Sequence, residues 1–126
     1  MRRKFSRTWI KSKQPRKQRK YRYNATLNIK SKFLGSHLSK EFRKKYKKRS
    51  MAVRKGDGVK VLRGQFKGKT GKIDKVDIKK SKVYITGIEV TKKDGTKALH
   101  PIHPSNLIIT DLNLEDKKRV KILERR

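Results

Sequence analysis

Residues 54–90 read RKGDGVKVLRGQFKGKTGKIDKVDIKKSKVYITGIEV, with Gly64, Gly68 and Gly71 in the turn between two strand-like runs. Glycine reaches positive φ without steric cost and lets another backbone approach closely, so this spacing dictates a tight, bare turn. On both sides the apolar residues fall near every second position. Val59 and Val61 alternate before the turn, and Ile73, Val76 and Ile78 follow with a three-then-two spacing that predicts a bulge. Residues 79–82 form a polar turn, and residues 83–90 a third strand with Gly87 as a bend. Asp94-Gly95 is a hairpin turn signal. Residues 98–102 and 107–110 supply two last short strands, which Pro101 and Pro104 confine to sheet edges. Four or five short strands joined by tight turns predict a mostly β fold, a small SH3-like barrel.

That barrel accounts for only half of the chain. Hydrophobic residues are 32% of the 126 and charged residues 40%, and the apolar ones concentrate in residues 53–109. The first fifty residues hold twenty Lys and Arg and the single acid Glu41, a net charge of +19. Such a segment cannot bury enough surface to offset its chain entropy, and it needs an anionic surface to order it. The whole chain carries +30, with a pI near 11.0. This charge repels other copies, arguing against a homo-oligomer, and attracts polyanions, making nucleic acid the expected partner. A basic membrane-surface protein would need an amphipathic helix with a clean apolar face, and no window supplies one. Nor does any apolar run approach the roughly 20 residues of a membrane span, so membrane insertion is not expected. The basic start MRRKFSRTWIKSK lacks the apolar stretch of a secretory signal. With no cysteine there are neither disulfides nor thiolate metal sites, which suits a reducing cytoplasm.

Four segments follow: a basic arm (1–25), a short helical segment (26–50), the barrel (51–110) and a tail with a short helix (111–126). In the arm, Lys13, Arg16, Lys17, Arg19, Lys20 and Arg22 interleave with Tyr21 and Tyr23. Like charges at i,i+4 repel, so the run is expected to be disordered, or at most a fraying helix, until RNA orders it. The tyrosines give stacking faces that a mere solubility tail does not need. Thr26 or Asn28 caps a turn carrying Ile29, Phe33 and Leu34; Ser39 then caps residues 40–47, where Phe42 and Tyr46 share one face. That face packs on the barrel and leaves Arg43, Lys44, Lys47 and Lys48 for phosphates. Residues 116–126, acidic first and basic last, favour a short helix that reads as solvated.

Catalytic chemistry finds no support in the sequence. Gly64 to Thr70 is one residue short of a phosphate-binding P-loop, and β-patterned sequence follows where that loop needs a helix. His100 and His103 form an H-x-x-H pair broken by Pro101 and Pro104, with only Asp111 nearby, so a metal site is not expected. Asp74 and Asp77 sit among lysines and read as surface ion partners. No catalytic residue, metal or cofactor is assigned.

Gly56-Asp57 leading into Val59-Lys60-Val61, then Gly64-x-x-x-Gly68-x-x-Gly71-Lys72-Ile73, resembles a KOW motif. Residues 13–20 (KQPRKQRK), residues 37–46 (HLSKEFRKKY) and His103-Pro104-Ser105-Asn106 resemble the flanking signatures of one family of the large ribosomal subunit. That is universal family number twenty-four in its archaeal and eukaryotic form, and the resemblance covers the chain from Ser12 onward. Residues 1–11 match no signature, and Gly58 stands where a bulkier residue is usual. The chain ends soon after its last helix, without the longer basic tail often seen in the eukaryotic branch, which favours the archaeal form.

The resemblance implies a structural protein that binds the 5′ domain of large-subunit ribosomal RNA early in assembly and lies near the polypeptide exit. It implies neighbouring large-subunit proteins as partners, with nascent-chain targeting factors as candidates at the exit. Besides the arm and Arg43, Lys44 and Lys47, the residues expected to contact RNA are Arg54, Lys55, Arg63, Gly64, Lys67, Gly68, Lys69, Gly71 and Lys72, together with His103, Ser105 and Asn106. Recognition by shape and backbone is expected, because RNA major grooves are too narrow to read. Two rivals are a KOW-type transcription elongation or antitermination factor and a general RNA chaperone. The first usually carries a separate acidic-to-mixed domain where this chain has its +19 segment.

Overall fold

A computed structural model describes residues 5–9 and 11–125. Helix α1 (Pro15–Asn24) and helix α2 (Leu27–Lys32) precede strand β1 (Gly35–Leu38), helix α3 (Lys40–Tyr46) and strand β2 (Ser50–Ala52). The glycine-rich half forms β3 (Gly58–Val61), β4 (Thr70–Asp77), β5 (Lys82–Ile85), β6 (Glu89–Thr91) and β7 (Lys97–Leu99). A 3₁₀ turn (Pro104–Asn106), β8 (Leu107–Asp111) and helix α4 (Lys117–Glu124) complete the chain.

Six strands form one sheet in the order β2-β1-β8-β3-β4-β5, while β6 and β7 form a separate hairpin. Only β1 and β8 run parallel; the other neighbours are antiparallel. The domain is strand-rich and SH3-like in character, but among the described residues no ladder joins β2 to β5. The sheet is therefore open rather than a closed barrel. Alternation explains the inner face: Val59 and Val61, Val83 and Ile85, and Leu107 and Ile109 are all buried. Leu38, Ile73, Ile88 and Leu123 join the same core.

The expected bulge lies between Ile73 and Lys75, where the register against β5 shifts. The Asp94-Gly95 turn also forms, with Gly95 at φ +83 and the Asp94 carboxylate accepting from the Thr96 backbone N–H. The hydroxyl of Thr96 donates to the same carboxylate, and these bonds hold the Asp94 carboxyl below its usual range.

Three expectations change. The single strand expected over residues 83–90 is two, because Gly87 at φ +81 turns the chain out of the main sheet between β5 and β6. Strand β8 is not at an edge but between β1 and β3. Pro104 lies ahead of it, at the start of the 3₁₀ turn, where a missing N–H does no harm. Strand β1 replaces part of the expected helical segment. Its inward positions are Ser36 and Leu38, and the buried Ser36 hydroxyl donates to the carbonyl of Pro104.

The tail is also more than a solvated helix. Asp116 caps α4 by accepting from the Lys118 N–H at 2.8 Å, and Arg119 and Leu123 are buried. The Arg119 guanidinium makes a two-pronged ion pair with the fully buried Asp57 carboxylate, at 2.5 and 2.6 Å. Asp57 also accepts the backbone N–H groups of Arg54 (2.9 Å) and Asn113 (3.1 Å), so one carboxylate ties the tail to the entrance of β3.

Candidate nucleic-acid interface

The loop between β3 and β4 is stitched by its own backbone. Val61 N–H donates to Lys69 O at 2.9 Å and Gly68 N–H to Val61 O at 2.8 Å. Inside it, Lys67 N–H reaches Gly64 O and Lys69 N–H reaches Phe66 O, both at 3.1 Å. Gly64 (φ +96) and Gly68 (φ +90) supply the left-handed conformations these turns demand, and a Cβ on either would meet nothing within 4 Å. Phe66 is the buried anchor of the loop, and the Lys69 ammonium lies 5.2 Å from its ring centre. Arg63, Lys67 and Lys69 are exposed around this anchor.

Gly71 and Lys72 are not in the turn but in β4. A Cβ at Gly71 would sit 2.6 Å from the Thr86 carbonyl oxygen and 2.7 Å from Ile85 Cγ2, so glycine is required there by close packing. Close packing within the sheet is therefore enough to account for glycine at position 71. Gly64→Ala and Gly68→Ala are each expected to lose about 1–2 kcal/mol through backbone strain alone. Gly71→Ala should lose more, because the backbone must shift to admit the methyl group. Urea denaturation of the three variants gives the ranking, and equal losses would contradict it.

The His-Pro-Ser-Asn signature lies directly beside this loop. Asn106 O accepts the Leu62 N–H at 2.8 Å. His103 caps the 3₁₀ turn: its Nδ1 accepts the Ser105 N–H at 3.3 Å and lies 2.8 Å from the Ser105 hydroxyl. Arg63, Gly64, Phe66, Lys82, His100, His103 and Asn106 surround a cavity of about 240 Å³. His100 does not pair with His103 around a metal; it packs on Phe66 with ring centres 5.1 Å apart. Among the described residues no three His, Cys, Asp or Glu side chains gather as metal ligands.

Burial lowers the His103 pKa below its usual 6.5, and the positive charges of Lys82 and Arg22 lower it further. The folded protein thus holds fewer protons here than the unfolded chain between the depressed value and 6.5. The stability this contributes is complete above pH 6.5 and is lost as pH falls through the depressed value. In a proton NMR titration His103 should have a midpoint below 6.5, and polyphosphate should raise it by screening Lys82 and Arg22. A midpoint above 6.5 in the free protein would contradict the assignment.

Arg22 belongs to α1, so the charge of the arm acts on this site. Of the two states expected for the arm, the structure has the helix, with Pro15 in its first turn and no fully buried residue. Tyr21 anchors it, with ring centres 4.9 Å from Phe5, 5.2 Å from Trp9 and 6.3 Å from Phe33. Aromatic packing supplies what the repelling charges remove. Its other residues remain outward: Lys13, Arg16, Lys17, Arg19, Lys20 and Arg22 are exposed, and Tyr23 is 83% exposed. Of the two tyrosines expected to stack on bases, only Tyr23 presents a free ring.

Helix α3 forms as the pattern predicts, with Ser39 accepting the Phe42 N–H and Phe42 beside Tyr46 at 6.0 Å. Lys44 and Lys47 are exposed. Arg43 is half-buried, donating from Nε to Leu38 O at 2.7 Å, and the Lys48 ammonium donates to the carbonyl of Ile122. Arg54 and Lys55 lie away from the loop cavity, on a groove where Arg54 pairs with Asp116 and Lys55 with Asp74 at 3.4 Å. Their charge is partly spent within the fold, whereas that of Arg63, Lys67, Lys69 and Lys72 has no such partner among the described residues.

Among the described residues no helix is long and apolar enough to cross a membrane. Residues 12–126 match the sequence model of the family that unites eukaryotic ribosomal protein L26 with its archaeal L24-type counterpart. The large ribosomal subunit protein uL24 of Methanothrix thermoacetophila is 50% identical to this chain over 114 residues, covering 90% of this chain and 98% of the relative.

Proposed function

Because the chain belongs to this family of eukaryotic L26 and archaeal L24-type ribosomal proteins, we propose that it binds the 5′ domain of large-subunit ribosomal RNA early in assembly and lies near the polypeptide exit. The family is a structural constituent of the cytoplasmic ribosome and not an enzyme class, which sets aside the transcription-factor and free-chaperone readings. One observation supports the RNA-binding assignment most. The fold brings the 62–69 loop and the His103–Asn106 turn together around one basic cavity, where the charge of Arg22 in α1 also acts on His103. These segments are far apart in sequence, and among the described residues no carboxylate pairs with their charges as Asp116 and Asp74 pair with Arg54 and Lys55.

On this reading the 62–69 loop presents side-chain charge and accessible backbone, while the outward residues of α1 and α3 neutralise phosphates of adjoining RNA helices. Arg54, Lys55 and Arg43 contribute less, since each is engaged within the protein. Residues 1–25 act as the RNA-contacting arm, residues 51–110 as the scaffold, and residues 26–50 and 111–126 as its supports. The free protein is a monomer, kept apart by its net charge of +30. Neighbouring large-subunit proteins, and nascent-chain targeting factors at the exit, are its further partners.

Ultraviolet crosslinking of the full chain to large-subunit ribosomal RNA tests this. The crosslinks are expected from the arm, the 62–69 loop and the 103–106 turn, and to fall within the 5′ domain. Crosslinks scattered over all RNA domains, or release of the protein from subunits by a moderate salt wash, would refute it.

A further inference from the structure

The cavity beside the loop is too elaborate for a phosphate contact alone. We propose that it receives one unstacked RNA base, held against His100 and Phe66 with its edge met by Gln65 and Asn106. This inference rests on the RNA-binding reading above and adds a defined ligand group to it.

The cavity measures about 240 Å³, below the roughly 300–1,000 Å³ typical of drug-sized ligands and suited to a single ring system. Its walls are of two kinds. Val61, Phe66, Pro101 and Ile102 are apolar, which suits a flat base and gives a phosphate nothing. Phe66 and His100 meet at an interplanar angle of 54°, forming an aromatic corner rather than a closed stack. Phe66 is buried and carries Lys69 near its ring, so the half-buried His100 offers the more accessible face. Histidine and phenylalanine rings are among the surfaces on which unstacked RNA bases settle.

The polar wall has base-reading chemistry. Gln65 and Asn106 each carry an amide, with both a donor and an acceptor, as the edges of bases require. His103 accepts through Nδ1 within the 3₁₀ turn, so its neutral ring carries the proton on Nε2 and adds one donor. Arg63 and Lys82 also line the cavity, placed to hold the phosphates on either side of an inserted base. Gly64 lies in this wall with open space around it, leaving room for the sugar and backbone to pass.

The test uses the full-length chain and a synthetic RNA spanning the footprint it protects on large-subunit ribosomal RNA. A single abasic nucleotide is moved through that RNA, and affinity is measured at several salt concentrations. One position should lose about tenfold in affinity, with the salt slope unchanged because no phosphate contact is removed. At that position His100→Ala should cause no additional loss. Gln65→Ala, at an exposed loop position that does not disturb the aromatic core, should relax the preference among the four bases there. Equal binding at every abasic position would overturn the pocket and leave the RNA reading standing, as would a loss that also flattens the salt slope. Absence of any footprint would overturn both.

Discussion

Replacing Asp57 by alanine is expected to cost about 3–5 kcal/mol of folding stability. The variant strands the Arg119 guanidinium in the core, where its remaining partners are the Asn113 carbonyl at 2.7 Å and the Ala52 carbonyl at 3.4 Å. The backbone N–H groups of Arg54 and Asn113 also lose their acceptor, adding about 1 kcal/mol each. The double variant Asp57→Leu with Arg119→Met should be more stable than Asp57→Ala alone. It removes both charges together and leaves neither unpaired. The native pair carries a desolvation cost of its own, because Arg119 Nε is buried without a partner. Urea denaturation at constant slope measures all three proteins. If Asp57→Ala loses less than about 1 kcal/mol, the ion pair does not hold the tail as described.

The second large effect concerns RNA affinity rather than stability. Removing the charges of Lys67, Lys69 and Lys72 together should flatten the slope of log affinity against log salt by about two to three units. These three side chains are exposed, so the fold should survive. Removing Lys117, Lys118 and Lys121 takes away equal charge from α4, whose outward side is also exposed. That change should matter less, because α4 contributes its contacts inward through Arg119 and Leu123. The expected outcome is a ranking, with the loop and the adjoining start of β4 above the tail. Equal losses from the two triple variants would mean that overall charge explains binding and that the loop and the start of β4 have no special part in it.

Local signals make the strands around the loop legible. Val59, Val61, Val83 and Ile85 show the period of two, Gly87 and Asp94-Gly95 are turn chemistry, and Ser39 with Phe42 is a capped helix start. Strand β1 is hidden because four residues with one strong apolar side chain, Leu38, carry too little periodicity. Its second inward position is a serine bonded to chain 68 residues away. The Asp57–Arg119 pair is equally invisible: Arg119 is one of forty Lys and Arg residues, and nothing local separates it from the others. The basic loop and the His103–Asn106 signature can be read separately, but their meeting at one cavity depends on tertiary contacts such as Leu62 to Asn106. The packing of the arm escapes the sequence for a different reason. Charge repulsion between neighbouring positions argues against a helix, while the contacts of Tyr21 with Phe5, Trp9 and Phe33 lie outside any local window.

The central position of β8 has a consequence for the order in which this protein is built. Strands β1 and β3 are not neighbours; each pairs with β8, which leaves a synthesising machine after both. Until residues 107–111 emerge, β1 and β2 make a two-strand ribbon cut off from β3, β4 and β5, and neither fragment has a complete core. The clasp between Asp57 and Arg119 comes later still. Folding must therefore await nearly the whole chain, since its decisive pairings close loops of about fifty to seventy residues. During that interval the highly cationic first fifty residues are free to meet any nearby polyanion before their own scaffold exists.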